Sequence, residues 1–203
     1  PTNSFALDSY LVFSSLVQEK IFQAQHIVTR RVVPIGPIRS DLLHQYSKAP
    51  HQYIDNIKND YLLVVALDKH SHVDQFVQGA INPNITWKAN KQFYLDMIHL
   101  AILYPNLYFI LRGKNIKWLD LNYFQDVAMV IEYLPNIEVD KDYAQLNVSY
   151  RLCSKADLVI AKHTSLADEC IAVGKPVLIH DYTHNVSSAM AEVFSYERSS
   201  VFC

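Results

Sequence analysis

The sequence has no excess of positive charge. Eighteen Lys and Arg residues stand against twenty Asp and Glu residues, which leaves a formal net charge of -2 at pH 7. A chain without a basic field has little with which to hold a nucleic-acid backbone. Nucleic acid is therefore not expected as a main partner.

Cysteines are few, and long apolar stretches are missing. Cys153, Cys170 and Cys203 lie far apart without a Cys-x-x-Cys spacing, which excludes a zinc ribbon and favours reduced thiols in a cytoplasm over a disulfide framework. The apolar run over residues 61–67 is far shorter than the ~20 residues that a membrane-spanning helix needs. No membrane-spanning helix is therefore expected.

What is present suits a folded domain. Half of the 203 residues are hydrophobic and 19% are charged, a balance that argues against disorder. A chain of this length buries roughly 70% of its unfolded surface, so a core forms without disulfides or a structural metal. The chain begins at Pro1 without an initiator Met or a signal pattern, so we expect a piece of a longer polypeptide.

Short apolar segments alternate with helical patterns along the chain. Uniformly apolar runs predict buried strands at residues 61–67, 107–111, 157–161 and 177–180, and shorter strands are predicted at 9–14 and 31–35. Helical spacing predicts helices at 15–25, from Arg39 onward, and at 91–104, 142–154 and 165–173, with Gly174 as the helix stop. Residues 123–131 are mixed and support no assignment.

This alternation predicts an α/β fold with a doubly wound, Rossmann-like parallel sheet and right-handed crossovers. Gly36 and Pro37 mark a turn near the one domain boundary that the sequence pattern indicates. We expect residues 1–40 to end a preceding domain and form a linker, and residues 41–203 to form the Rossmann-like domain, incomplete at its C-terminal end.

Polar loops that follow the apolar runs are the places to search for a site, since ligands of open parallel sheets bind beyond the carboxyl ends of the strands. The loop that begins at Lys162 leads into a helix whose predicted capping box joins Ser165 to Asp168. A helix start of this kind exposes backbone N–H groups and suits a phosphate. The competing interpretation is that Thr164 and Ser165 only cap the helix.

The segment around this loop resembles the donor-binding domain of GT-B nucleotide-sugar glycosyltransferases, in particular those of bacterial capsule and teichoic-acid synthesis. Residues 9–23, followed by residues 31–41, resemble the last strand and helix before the interdomain linker of the same family, with the crossing at Val32 to Asp41. The retaining subgroup of this family carries two glutamates eight positions apart, and this sequence departs from that pattern because Ala161 stands at the earlier position, eight residues before Glu169. The residues that carry the main resemblance are Ala156, Asp157, Leu158, Val159 and Ile160, then Thr164, Ser165 and Glu169, and finally the run Ala172, Val173, Gly174, Lys175, Pro176, Val177 and Leu178.

The resemblance implies roles for particular residues. Thr164 and Ser165 would hold the donor diphosphate, and Glu169 would bond a ribose or sugar hydroxyl. His163, beside the same turn, would donate to the donor. The competing interpretation for Glu169 is a solvated helix residue.

Two further loops are candidates for donor contacts. Lys69 and His70 follow the first central strand and would meet the diphosphate, and Arg112, with Lys114, follows the next strand and would meet an anion or the base. Ordinary surface loops are the alternative in both places. His70 and His72, and His180 and His184, lack a companion ligand set, so neither a metal nor another cofactor is expected.

The family resemblance implies a glycosyltransferase of cell-surface polysaccharide synthesis, with this chain as the nucleotide-sugar-binding half. Its partners would be the donor, a saccharide or lipid-linked acceptor, and an acceptor-binding domain or subunit. We expect a cytoplasmic location, with peripheral contact to the inner face of the membrane. A CDP-glycerol-type polyol-phosphate transferase, a sugar-nucleotide epimerase and a non-catalytic nucleotide-binding subunit remain open alternatives.

Overall fold

The computed structural model describes residues 5–12, 27–37, 39–68, 86–113, 116–142, 147–162, 164–180 and 182. Before residue 30 it describes the backbone but not the side chains. Two parallel strands, β1 (Phe5–Val12) and β2 (Ile27–Pro34), form a small sheet at its beginning. Both start four residues earlier than the sequence predicts. Gly36 follows β2 with φ +76°, a backbone conformation that favours glycine. The predicted helix at 15–25 lies outside the described residues.

A second sheet of five parallel strands forms the centre of the domain. Its strands are β3 (Leu62–Leu67), β4 (Leu107–Arg112), β5 (Ile137–Val139), β6 (Leu158–Ala161) and β7 (Val177–Ile179). They lie in the order β5-β4-β3-β6-β7, and every neighbouring pair is parallel. The predicted doubly wound α/β fold is therefore confirmed.

Helices connect these strands. They are α1 (Ser40–Ser47), α2 (Gln52–Asp60), α3 (Trp87–Leu103), α4 (Gln125–Tyr133), α5 (Val148–Lys155) and α6 (Ser165–Ala172). The polar helical stretch predicted after Arg39 is divided in two because Pro50 cannot continue a helix, and His51 begins α2 by accepting from the backbone N–H of Ile54. In the part of the chain that the structure covers, no helix is both long and apolar enough to cross a bilayer.

The core has two halves, one on each face of the central sheet. Alternate residues of β3 point to opposite faces, as they do in any strand. Leu63, Val65 and Leu67 pack with α1, α2, α5 and α6, whereas Val64 and Ala66 pack with α3 and α4. Each fully buried aliphatic or aromatic side chain contributes about 1.5 to 3 kcal/mol of transfer free energy. Burial on both faces explains why these strands have continuous apolar sequences.

One helix and one strand of this domain, α4 and β5, were not predicted from the sequence. Helix α4 lies in the mixed stretch, and β5 has only three residues, too few for a periodic pattern. The turn before β5 is held by the buried Asn136, whose side-chain amide donates to the carbonyls of Ala101 and Leu107 at 2.9 Å each. These long-range bonds come from tertiary structure, so local sequence patterns do not reveal them.

Candidate functional site

The carboxyl ends of β3 and β6 mark the switch point of the sheet. From β3 the chain adds β4 and then β5 on one side, and β6 and β7 on the other side. Connections therefore leave these two adjacent strands in opposite directions, and a crevice opens where they part. Asp68 follows β3 and Lys162 follows β6, so both residues lie at this crevice.

Helix α6 starts at the same edge. Thr164 is its N-cap residue, and the Thr164 hydroxyl accepts a hydrogen bond from the backbone N–H of Ala167 at 3.3 Å. The predicted capping box, with Ser165 as the cap, is wrong by one residue, because Ser165 is already the first helical residue. The first N–H groups of a helix have no partner inside the helix, and the positive end of the dipole lies there. The edge therefore suits an anionic oxygen.

Glu169 lies one turn further into α6 and is buried. Only 5% of its surface is exposed, which contradicts the interpretation of a solvated helix residue. Its Oε1 is 3.5 Å from Nε of Arg39. Burial, together with hydrogen bonding to Glu169, raises the pKa of the half-buried Tyr150. Among the residues that the structure describes, Oε2 of Glu169 has no hydrogen-bond partner, so this buried acceptor is available to a ligand hydroxyl.

Asp168 adds a second carboxyl group to the same helix turn. Burial, and then the charge of Glu169, raises the pKa of Asp168 from 3.8 to about 6. The ionised form is penalised because it loses water and lies beside another carboxylate. An anionic ligand at this helix start would meet less repulsion when Asp168 is protonated.

A buried ion pair that the sequence analysis did not single out lies at the switch point. Nζ of Lys162 is 2.7 Å from Oδ1 of Asp68, and the two side chains are 0% and 2% exposed. Lys162 also donates to Oδ1 of the fully buried Asn90 on α3, and its ammonium lies over the ring of Phe93. The hydroxyl of Tyr94 donates to Oδ2 of Asp68 at 2.5 Å. The only sequence signal was the position of both charges directly after apolar strands.

Arg112 is buried among protein acceptors. Its Nε donates to the hydroxyl of Ser149 at 2.9 Å, and its Nη1 donates to Oδ2 of Asp140 at 2.8 Å and to the carbonyl of Asp142 at 3.1 Å. The side chains of Arg112 and Asp140 are 7% and 13% exposed. Arg112 therefore links β4 to the segment after β5 and to the start of α5. Its predicted contact with the donor stays a prediction.

The rest of the resembling segment lies at the opposite, amino edge of the sheet. Asp157 precedes β6 and accepts from the backbone N–H of Leu63 at 2.8 Å and from Nζ of Lys58 at 2.6 Å. Lys175 precedes β7 and donates to the carbonyl of Ala156 at 3.0 Å, while Gly174 ends α6 at φ +75°. These residues stabilise the sheet and the helix end, away from the crevice.

Several predicted contacts cannot be placed. Lys69, His70, His163 and Lys114 lie outside the described residues. Of the predicted donor-binding residues, the structure places Thr164, Ser165 and Glu169 together on α6. Within the described ranges, no three His, Cys, Asp or Glu side chains are grouped closely enough to hold a metal ion. Cys153 and Cys170 are buried free thiols.

A separate cleft of about 600 Å³ lies beside β5. Its lining is largely apolar, and its charged residues are Glu132, Glu138, Asp140 and Asp142 with the single cation Lys141. This excess of acidic groups repels anions. The cleft is therefore a poor place for a phosphate group, and the crevice between β3 and β6 is the better candidate.

Comparison with known proteins gives fold neighbours only. No family model matches the sequence, and no curated protein matches it significantly. The wall teichoic acid polymerase TagF is similar to 88% of this chain, at 16% identity and a TM-score of 0.48. A UDP-forming α,α-trehalose-phosphate synthase from Burkholderia xenovorans is similar to 86% of it, at 10% identity and a TM-score of 0.49.

The chain spans 40% and 45% of the lengths of these two solved chains. At such identities and TM-scores, the similarities support no statement about activity. The fold assignment stands on the strand order and register described above.

Proposed function

We propose that this chain is the donor-binding half of a GT-B glycosyltransferase that transfers a sugar from a nucleotide-sugar to a saccharide or lipid-linked acceptor of cell-surface polysaccharide synthesis. One observation carries the proposal: a helix N-terminus and a buried carboxylate oxygen without a described partner occur together at the switch point. The resemblance of the surrounding sequence to this family adds the substrate class.

The two groups would bind different parts of the donor. The N–H groups at Ser165 and Leu166, which have no partner inside the helix, would hold anionic oxygens of the diphosphate. Oε2 of Glu169 would accept a hydrogen bond from a ribose or sugar hydroxyl, which would satisfy a buried acceptor. Both groups belong to one rigid helix, so they would fix the diphosphate relative to the diol.

The transfer itself would be a displacement at the anomeric carbon. The acceptor hydroxyl oxygen forms a bond to that carbon, the bond to the diphosphate oxygen breaks, and the nucleoside diphosphate leaves with the electron pair. The positive end of α6 would stabilise the charge that develops on this leaving group. The proton of the acceptor would pass to a base that we expect on the acceptor-binding domain or subunit.

Donor binding can be tested with a thermal-shift panel of UDP, GDP, CDP, CMP and ADP, followed by calorimetric dissociation constants. A ligand that binds only the folded state raises the melting temperature. We expect a selective shift with one base. No shift with any nucleotide, for this chain and for the full-length polypeptide alike, would overturn the proposal.

Three variants locate the site. Proline is tolerated at the first helical position and lacks an N–H group, so Ser165→Pro removes one anion-binding donor while α6 persists. Ser165→Ala removes only the hydroxyl, and Glu169→Gln removes the carboxylate charge. We expect Ser165→Pro and Glu169→Gln each to raise the dissociation constant about tenfold, the size of one lost charge-assisted hydrogen bond.

Glu132→Gln is the matched control for Glu169→Gln, because Glu132 is exposed on α4. It should leave the dissociation constant unchanged. Unchanged affinity in both Ser165→Pro and Glu169→Gln would refute this site. Product analysis separates the other functions: an epimerase converts its nucleotide-sugar without an acceptor, and a binding subunit shows affinity without turnover.

A further inference from the structure

The Lys162 side chain occupies an unusual place for a lysine. It is fully buried, and it makes contacts with two other parts of the fold: Asp68 after β3, and Asn90 with the Phe93 ring on α3. Asp68 is held in turn by the Tyr94 hydroxyl. Burial and the charge of Asp68 raise the pKa of Tyr94 well above its ordinary value, so Tyr94 remains a donor. The network joins the two strands of the switch point to α3.

Stability alone gives a weak reason for this network. Taking two charges out of water is costly, and replacement of a buried ion pair by neutral groups of similar volume is often harmless to folding. The clearest use of such pairs is to select one geometry among several. The question is therefore which geometry the pair selects.

The chain needs such a constraint between β6 and α6. The strand ladder between β3 and β6 ends at Leu67 and Ala161, and the backbone N–H of Lys162 reaches the carbonyl of Leu67 only at 3.4 Å. Two residues later, Thr164 caps α6. The direction in which α6 begins thus depends on what holds residue 162.

We propose that Lys162 is a positioning residue for the donor site: its buried ion pair with Asp68 and its bond to Asn90 fix the start of α6, so that the first N–H groups of the helix face the donor diphosphate. Lys162 acts through the backbone of Ser165 and Leu166 and does not itself touch the donor. This inference rests on the proposed function, and it adds two residues, Asp68 and Lys162, to the donor site.

The test uses the double variant Asp68→Asn with Lys162→Met, which removes both charges and keeps similar volumes. Urea unfolding measures its stability, and calorimetry measures dissociation constants for UDP, GDP, CDP and ADP and for the parent nucleosides. We expect the double variant to fold, with the affinity for the bound nucleoside diphosphate about tenfold weaker and that for its nucleoside, which would meet α6 only at Glu169, weakened by no more than about threefold. A merely structural defect would weaken both ligands alike.

Lys91→Met is the matched control. It removes an ion pair of α3 that lies outside the Lys162 network, the pair of Lys91 with Asp126, so it should lower stability slightly without a change in diphosphate affinity. Should the double variant fail to fold, Asn90→Ala carries the test, since it removes one acceptor of Lys162 and keeps the ion pair. We then expect an approximately threefold loss of affinity for the diphosphate and a smaller loss for the nucleoside.

The outcomes separate the two proposals. If the wild-type chain and full-length polypeptide bind no nucleoside diphosphate, the proposed function fails. If the wild type binds and the folded double variant, or Asn90→Ala in its place, binds equally well, the role of Lys162 is refuted and the proposed function stands. Equal losses for nucleoside and diphosphate would also refute it.

Discussion

Asp157 offers a sharp test of whether the resembling segment is structural at the amino edge of the sheet. Its Oδ2 accepts from the backbone N–H of Leu63 at 2.8 Å, and its Oδ1 accepts from Nζ of Lys58 at 2.6 Å. We predict that Asp157→Ala destabilises the domain by about 2 to 3 kcal/mol, whereas Asp157→Asn costs about 1 kcal/mol.

These magnitudes follow from the two contacts. A backbone N–H bonded to a charged acceptor is worth about 1.5 to 3 kcal/mol. The side chains of Lys58 and Asp157 are 33% and 34% exposed, so solvent limits their ion pair to about 0.2 to 1 kcal/mol. Alanine loses both contacts. Asparagine keeps an oxygen for Leu63 and loses only the charge.

Urea denaturation of the wild type and both variants measures the free energies of unfolding, and Lys58→Met gives the ion-pair contribution together with that of the bond from Lys58 to the carbonyl of Lys155. Donor affinity provides the second readout. Because Asp157 lies at the opposite end of β6 from Lys162, we expect the nucleotide dissociation constant to be unchanged in every variant that remains folded. A cost below about 0.5 kcal/mol for Asp157→Ala, or a folded variant with weakened nucleotide binding, would show that this reasoning is wrong.

Two further predictions concern charged groups near the carboxyl edge. The pKa of Asp168 is raised from 3.8 to about 6 in the folded state, so folding is favoured while this carboxyl is protonated, and that contribution is lost as the pH rises through 6. Asp168→Asn should therefore stabilise the domain by about 1 to 2 kcal/mol at pH 7.5 and by nothing at pH 3.5. Thermal melts that show an equal gain at both pH values would contradict the raised pKa. Arg112→Met leaves the carboxylate of Asp140 buried without its cation and should lower the free energy of unfolding in urea by about 3 to 5 kcal/mol. Arg112→Lys should recover only part of this loss, because lysine cannot reproduce the forked contacts of arginine. An unchanged free energy of unfolding in Arg112→Met would mean that the pair with Asp140 does not form.

Local sequence patterns predicted the elements whose physics is local. The apolar run predicted as a strand at residues 61–67 forms β3 (Leu62–Leu67), buried from Leu63 onward, because an unbroken apolar run with β-branched residues can pack on both faces of a sheet. Strands β4, β6 and β7 follow the same rule. Helix α6 ends at Gly174 because only glycine adopts a positive φ there at little cost. The strand β5 was missed because three residues carry no period and their turn depends on the distant partners of Asn136.

The candidate site divides in the same way. Local sequence was enough to predict that Thr164, Ser165 and Glu169 lie at the start of one helix, because capping chemistry and helical spacing act over a few residues. The burial of Glu169 and the ion pair between Lys162 and Asp68 depend on packing between distant parts of the chain. A lysine after an apolar strand has the same local sequence whether it faces water or a carboxylate. The parallel pairing of β3 with β6 brings these two charges together, and packing against α3 removes the water around them.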